Sequence, residues 1–173
     1  MTLGLPLDAE RVVLRRLQPG DEPRFAAYRA DAELARYQGW SPMTPEEARA
    51  FIAAADEAPT LGAGTWHQLA IAERGSDLLL GDIGLCGREN GEVELGFTLM
   101  HAAQGRGIAT EALRALVQAL FRFPQVRCVV AETDERNRAS IRVLERLGMT
   151  LVERREAVFK NEPCVELRYR LAR

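Results

Sequence analysis

Two glycines, Gly105 and Gly107, punctuate the run Gln104-Gly-Arg-Gly-Ile-Ala-Thr110. No other residues of the chain are so well placed to hold a ligand through main-chain groups. Glycine lets ligand atoms approach the backbone closely. The helical apolar period that starts at Ile108 supplies first-turn N–H groups with no intrahelical partner. Such a terminus attracts phosphate, with about 0.3–1 kcal/mol from the dipole alone at an exposed site. The plain alternative is a glycine turn that binds nothing. A Walker-type loop is excluded, because it needs Gly-Lys-Ser/Thr and no lysine stands here. A dinucleotide-binding oxidoreductase needs G-x-G-x-x-G directly after a strand and an acid about 20 residues on. Gly105, Gly107 and Thr110 nearly meet that pattern, with Glu132 and Asp134 as the acids. The third glycine is replaced, His101 to Gln104 intervene, and too little chain follows for the remaining parallel strands.

The elements that must carry this loop follow from periodicity. Residues 11–17 read as a strand, which gives way at Gln18-Pro-Gly-Asp21 to a helical stretch through about Tyr37 and then a turn-rich loop through Met43. Thr44-Pro-Glu-Glu47 is a helix start with Thr44 as N-cap, Pro45 at N1 and Glu47 closing a capping box. The helix it opens turns Ala48, Phe51, Ile52 and Ala55 inward. Strands at about 66–72, 78–85 and 92–100 form an antiparallel meander. Residues 108–121 repeat apolar side chains on one helical face. A strand at 126–133 shows little alternation, as expected when both faces are covered. A short helix at 139–147 ends at Gly148, and two closing strands follow. The order predicts an α/β (α+β) fold: one mixed, mostly antiparallel sheet of about seven strands flanked by about four helices.

The 173 residues suit a single domain over 1–173, large enough to bury one core. A net charge of −2 provides no basic field for nucleic acid or an anionic membrane. No apolar run approaches the roughly 18 residues of a membrane span. The N-terminus lacks a basic region and meets Pro6 and Asp8 early, so no signal peptide is read and a cytoplasmic location is expected. Cys86, Cys128 and Cys164 are unpaired in spacing and read as small buried hydrophobes. His67 and His101 have no ligand at metal spacing, so no metal is expected. Lys160 is the only lysine among 23 basic residues, a bias to which no function attaches.

Gln104-x-x-Gly107-x-Ala109 matches the Q/R-x-x-G-x-G/A pattern of the GCN5-related N-acetyltransferase (GNAT) superfamily. It does not stand alone. Glu94-Leu-Gly-Phe-Thr-Leu99 precedes it and resembles the family's fourth strand. Asn137-x-x-Ser140-x-x-x-Leu144-x-x-Leu147-Gly148-Met149 follows and resembles the fifth strand and next helix. Leu14-Arg-Arg-Leu17, Asp21 and Ala35-Arg-Tyr-Gln-Gly-Trp40 are similar to the ribosomal-protein alanine and serine N-acetyltransferases, the RimJ/RimL-type branch. The resemblance runs from about residue 10 to 171.

It implies a direct transfer from acetyl-coenzyme A to a primary amine, either a protein N-terminus or a small molecule. Backbone groups of Phe97, Thr98 and Leu99 would pair with the pantetheine arm, and one N–H there would meet the oxyanion. Amides of Gln104, Gly105, Arg106, Gly107, Ile108, Ala109 and Thr110 would cradle the pyrophosphate. Asn137 would bond the arm, and the basic face of Arg138, Arg142 and Arg146 would lie near the ribose phosphate. Glu94 is the implied general base, with Glu92 its rival on the same face. Many family members place a tyrosine acid seven residues after the asparagine, where this chain has Leu144. Ser140 then becomes the donor to the sulfur, and Tyr169 a packing residue. Tyr37, Trp40, Met43, Glu156 and Phe159 would build the acceptor site, with Glu162 as a further carboxylate. The partners expected are the acceptor and, in a homodimer, a second copy. The rival reading within the same fold is a non-catalytic acetyl-coenzyme A sensor.

Overall fold

The computed structural model describes residues 2–55 and 64–173. The domain expected over 1–173 thus includes residue 1 and residues 56–63, which lie outside the described residues. A two-residue strand β1 (Leu7–Asp8) pairs with β2 (Val12–Arg15), and a 3-10 turn at Pro19–Asp21 leads into α1 (Glu22–Arg29). A short α2 (Ala32–Ala35) and then α3 (Pro45–Ala54) complete the first helical layer. The meander β3 (Trp66–Glu73), β4 (Leu79–Gly87) and β5 (Glu92–Leu99) leads to α4 (Ile108–Leu120). β6 (Cys128–Asp134), α5 (Arg138–Arg146), β7 (Thr150–Phe159) and β8 (Glu162–Ala172) close the chain. Eight strands lie in the order β1-β2-β3-β4-β5-β6-β8-β7.

The sheet separates two cores. On one face Val12, Leu14, Leu69, Ile83 and Leu95 pack with the apolar stripe of α4 and with Ile141 and Leu144 of α5. On the other, Phe25 and Tyr28 of α1 and Ala48 and Ile52 of α3 pack on Ala70 and Leu79. β4, central and covered on both sides, is buried along its whole length. Cys86 and Cys128 are buried, as expected of small hydrophobes, whereas Cys164 is only partly buried; all three are free. The capping box of α3 forms as read: Glu47 N donates to Thr44 Oγ1 at 3.2 Å and Thr44 N to Glu47 Oε2 at 2.8 Å.

Two expectations are corrected. The helical stretch read from Gln18-Pro-Gly-Asp21 through about Tyr37 is broken, because Asp31 Oδ1 accepts N–H bonds from Glu33 and Leu34 and so caps a new helix. A short side-chain acceptor competing for main-chain donors wins over continued helical propensity there. The described residues thus form five α-helices where about four are expected. The eighth strand is β1, whose two pairs, Leu7 with Leu14 and Asp8 with Val13, are too short to leave a period in the sequence.

Candidate active site

Among the described residues β5 and β6 are the one parallel pair, and they pair only at residues 92–94 against 128–130. Beyond Glu94 each strand keeps its outer neighbour, β5 along β4 to Leu99 and β6 along β8 to Asp134, while their inner edges separate. The direction of the freed groups follows from strand alternation. Met100 N donates to Leu80 O at 3.0 Å, so even-numbered residues of β5 point their peptide groups at β4. Phe97 and Leu99 therefore turn theirs into the gap. Two glutamine side chains meet them: Gln38 Nε2 donates to Phe97 O at 3.2 Å and Gln104 Nε2 to Leu99 O at 3.0 Å. Thr98, expected to offer its backbone as well, points it at β4 and is a buried side chain in the wall.

Two helix starts converge on the same gap. Gly105 and Gly107 adopt φ of 71° and 77°, a left-handed conformation that strains any residue with a Cβ. Gly107 is the N-cap of α4, so the amides of Ile108, Ala109 and Thr110 begin the helix without intrahelical acceptors. Arg11 holds this loop from behind. Its Nη1 donates to Arg106 O at 2.9 Å, its Nε to Glu111 Oε2 at 2.7 Å and its backbone N to Glu111 Oε1 at 2.6 Å. Asn137 caps α5 by accepting Ser140 N at 3.2 Å, which leaves its amide NH2 and the Ser140 hydroxyl for the cleft. Asp134 pairs with Arg136 through both oxygens, at 2.9 and 2.7 Å, and the Arg136 guanidinium holds its carboxyl below the usual range.

The resulting cavity has a volume of about 400 Å³. It gathers Tyr37, Phe97, Thr98, Leu99, Gln104, Gly105, Gly107, Ile108, Ala109, Thr110, Asn137 and Ser140 from the sites read in the sequence. Arg142 and Arg146 of the expected basic face also line it, together with Arg36. Leu144 is buried in the core, so the position where the family places a tyrosine presents no hydroxyl.

Other expected residues stand elsewhere. Arg106 contributes its carbonyl to Arg11 and is not in the cavity wall. Glu94 precedes the gap, with its carboxylate paired to Arg88, while Glu92 is held by Arg168 at 2.8 Å. Trp40 covers the buried guanidinium of Arg29, 4.4 Å from its ring centroid. Glu156 lines a second, shallower groove with Arg136, Val158, Pro163 and Val165.

Beneath Trp40 lies a polar cluster that the sequence reading missed. Arg29 pairs with Asp82, which also accepts from Tyr28 Oη at 2.6 Å and from Gln68 Nε2. Burial, and then the Asp82 charge, raises the Tyr28 hydroxyl well above its ordinary value. Gln38 and Lys160 were missed too. Each is a single polar residue in a loop or turn, and no spacing rule marks such a residue.

An acetyltransferase (GNAT) domain model matches residues 11–150, most of the chain. The protein belongs to the GNAT acetyltransferase family. Among curated relatives, the uncharacterized N-acetyltransferase p20 of Bacillus licheniformis is 27% identical over 145 residues, 82% of this chain and 80% of that one. A GNAT-family acetyltransferase from Bacillus anthracis superposes with a TM-score of 0.87 at 22% identity, over 97% of this chain and 98% of that one. RimL, a ribosomal alpha-N-protein acetyltransferase crystallised with coenzyme A, superposes with a TM-score of 0.82 at 18% identity, over 97% and 98%. At these identities the superpositions speak for the fold. Among the described residues of this GNAT protein, no helix is long and apolar enough to cross a membrane.

Proposed function

We propose that this protein is an acetyl-coenzyme A-dependent N-acetyltransferase that carries acetyl directly to a primary amine, by preference an α-amine. The observation that carries the reading is the gap beyond Glu94, edged by the peptide groups of Phe97 and Leu99 and closed by the start of α4. The residues fit the co-substrate. A long amide-bearing arm can add to the inner edge of β5 as a further strand, with its amides taking over the carbonyls now held by Gln38 and Gln104. The amides of residues 108–110 and the side chains of Arg142 and Arg146 suit its phosphates. When bound, the thioester supplies an activated acetyl group.

The chain's own part is to position groups and move protons. A main-chain N–H at Phe97 or Leu99 faces the gap and can meet negative charge that develops on the acetyl oxygen. As the N–C bond forms and the C–S bond breaks, the amine loses a proton and the sulfur needs one. Ser140, beside the Asn137 cap, offers a hydroxyl to the cleft and is assigned to the sulfur. Glu94 lies on the α1 face just before the gap and is assigned, through water, to the amine. Its pairing with Arg88 means that it works as a held carboxylate rather than a mobile one.

The preference for an α-amine rests on proton supply. An α-amine has a pKa of about 7.7–8.0 and is partly neutral at pH 7.5, whereas a lysine-type amine at about 10.4 is almost wholly charged. A site that lacks a hydroxyl at position 144 and whose carboxylate is ion-paired suits the acceptor that demands less of its base. RimL, a structural neighbour, is named for acting on ribosomal protein as an alpha-N-acetyltransferase, which agrees with that choice. Leu144 also gives weight to the second reading, a sensor that binds acetyl-coenzyme A without transfer.

Three measurements test the proposal. Acetyl-coenzyme A should raise the thermal midpoint where nicotinamide cofactors do not. In a free-thiol release assay at pH 7.5, peptides with free α-amines should outpace polyamines. Glu94→Gln should lower kcat while co-substrate affinity stays within about twofold. Binding without turnover across a broad acceptor panel would convert the reading to the sensor, and no shift at all would refute both.

A further inference from the structure

The hairpin between β7 and β8 turns at Lys160 and Asn161, with φ of 49° and 63°. From this tip the lysine reaches across to the first helical layer. Its Nζ donates to Ala35 O, the last residue of α2, at 2.7 Å and to Trp40 O at 2.7 Å. These partners lie 125 and 120 residues away in sequence. They bracket the segment that carries Tyr37 and Gln38. Gln38 bonds Phe97 O at the edge of the gap, and the Tyr37 ring centroid lies 5.8 Å from the Arg136 guanidinium, beside the cap of α5. Residues 35–40 thus span the opening between β5 and β6, and the lysine ties that span to the hairpin.

We propose that Lys160 is a positioning residue for the acceptor amine: it holds residues 35–40 against the β7–β8 hairpin and so sets Tyr37 and Gln38 across the mouth of the gap. The inference rests on the acetyltransfer reading and extends it to a residue outside the cavity wall. The choice of residue type supports it. Every other basic residue of the chain outside the two histidines is arginine. A planar guanidinium suits a carboxylate fork, whereas a compact ammonium with three tetrahedral donors can serve two carbonyls that converge from different points of a loop. Partial burial pulls the lysine's pKa down, the expected result of drawing an ammonium out of water, and the two carbonyls replace part of the lost hydration.

The test compares Lys160→Met and Lys160→Arg with the unsubstituted protein by hydrogen exchange, by calorimetric titration with acetyl-coenzyme A, and by steady-state rates with the best peptide acceptor. In Lys160→Met, amides at 35–43 should exchange about tenfold faster, since charge-assisted bonds to that segment are lost, while those of β5 and α4 hold their rates. Affinity for acetyl-coenzyme A should stay within about twofold while KM for the acceptor rises about tenfold. Lys160→Arg keeps the charge but not the donor geometry, and should recover less than half of each change. Unaltered exchange at 35–43 overturns the proposal, as does full recovery by arginine or a parallel loss of co-substrate affinity. Faster exchange in a protein that transfers acetyl to nothing would leave the tie standing and refute the transferase reading instead.

Discussion

Removing Asp82 should be among the most destabilising single changes available to this protein. Its side chain is 1% exposed and that of its partner Arg29 is 2% exposed, so neither charge can recover hydration when the other is lost. The guanidinium is already short of one bond, for Arg29 Nε has no acceptor. Rings of Phe25, Trp40 and Phe51, with centroids 4.9, 4.4 and 5.5 Å away, offer it only their π faces. Asp82→Ala therefore strands a buried cation and takes the acceptor from Tyr28 Oη and Gln68 Nε2. A loss of about 3–5 kcal/mol follows from breaking a buried pair in this way. Against a typical total of about 5–15 kcal/mol, that is a large share. Arg29→Met should cost less, because Asp82 retains two neutral donors. The double variant Arg29→Met, Asp82→Asn removes both charges and keeps an oxygen for Tyr28. It should be more stable than Asp82→Ala alone, and measured against the single variants Arg29→Met and Asp82→Asn it should show a coupling of about 2–3 kcal/mol. Urea unfolding followed by both circular dichroism and tryptophan emission measures each value and checks that one transition is present. A cost for Asp82→Ala below about 1 kcal/mol, or singles that add to within about 0.5 kcal/mol, would refute the reasoning.

Burial raises Tyr28, with the Asp82 charge adding to it, so the neutral phenol is favoured in the folded state. Its contribution is complete below the unfolded value of about 10 and is lost as pH climbs from there toward the folded value. Stability should fall with pH above about 10, and Tyr28→Phe should flatten that slope at a cost of about 1 kcal/mol at neutral pH. Ionisation of all three tyrosines with the fold intact, read from phenolate absorbance, would contradict this. Asn137 separates cap from site: Asn137→Ala should lose about 1 kcal/mol of stability and also weaken coenzyme A binding. Asn137→Asp keeps the acceptor that holds Ser140 N and should lose only the binding, as paired urea and calorimetric titrations would show.

What the sequence disclosed of the fold was whatever repeats along the chain. The stripe of α4 and the capping box at Thr44 and Glu47 each express one physical period or one local bond, and each formed where it was read, while the weakly alternating strand read at 126–133 forms as Cys128–Asp134. The break at Asp31 was not visible, because a helix and a capped restart share the same composition over eight residues. The extra strand β1 was hidden for a different reason: two residues carry no alternation to detect.

The candidate site divides along the same line. Gly105, Gly107 and Asn137 were legible because loop and cap chemistry is local, and they do meet in one cavity. The gap itself was not, since it depends on β5 and β6 parting after residue 94 while each stays bonded to a different neighbour. Parity along β5 then decides what the gap receives, and it gives Phe97 and Leu99 to the opening but turns Thr98 toward β4. The bonds that frame the site on its other side, Gln38 to Phe97 and Lys160 to Ala35 and Trp40, join residues 59, 125 and 120 positions apart. Nothing local to either end marks such a bond. A motif shared by a family therefore fixes where the glycine loop lies, while the long-range bonds of Gln38 and Lys160 are recoverable only from the folded chain. On the proposed reading, Gln38 and Lys160, more than the loop, would decide which amine is taken.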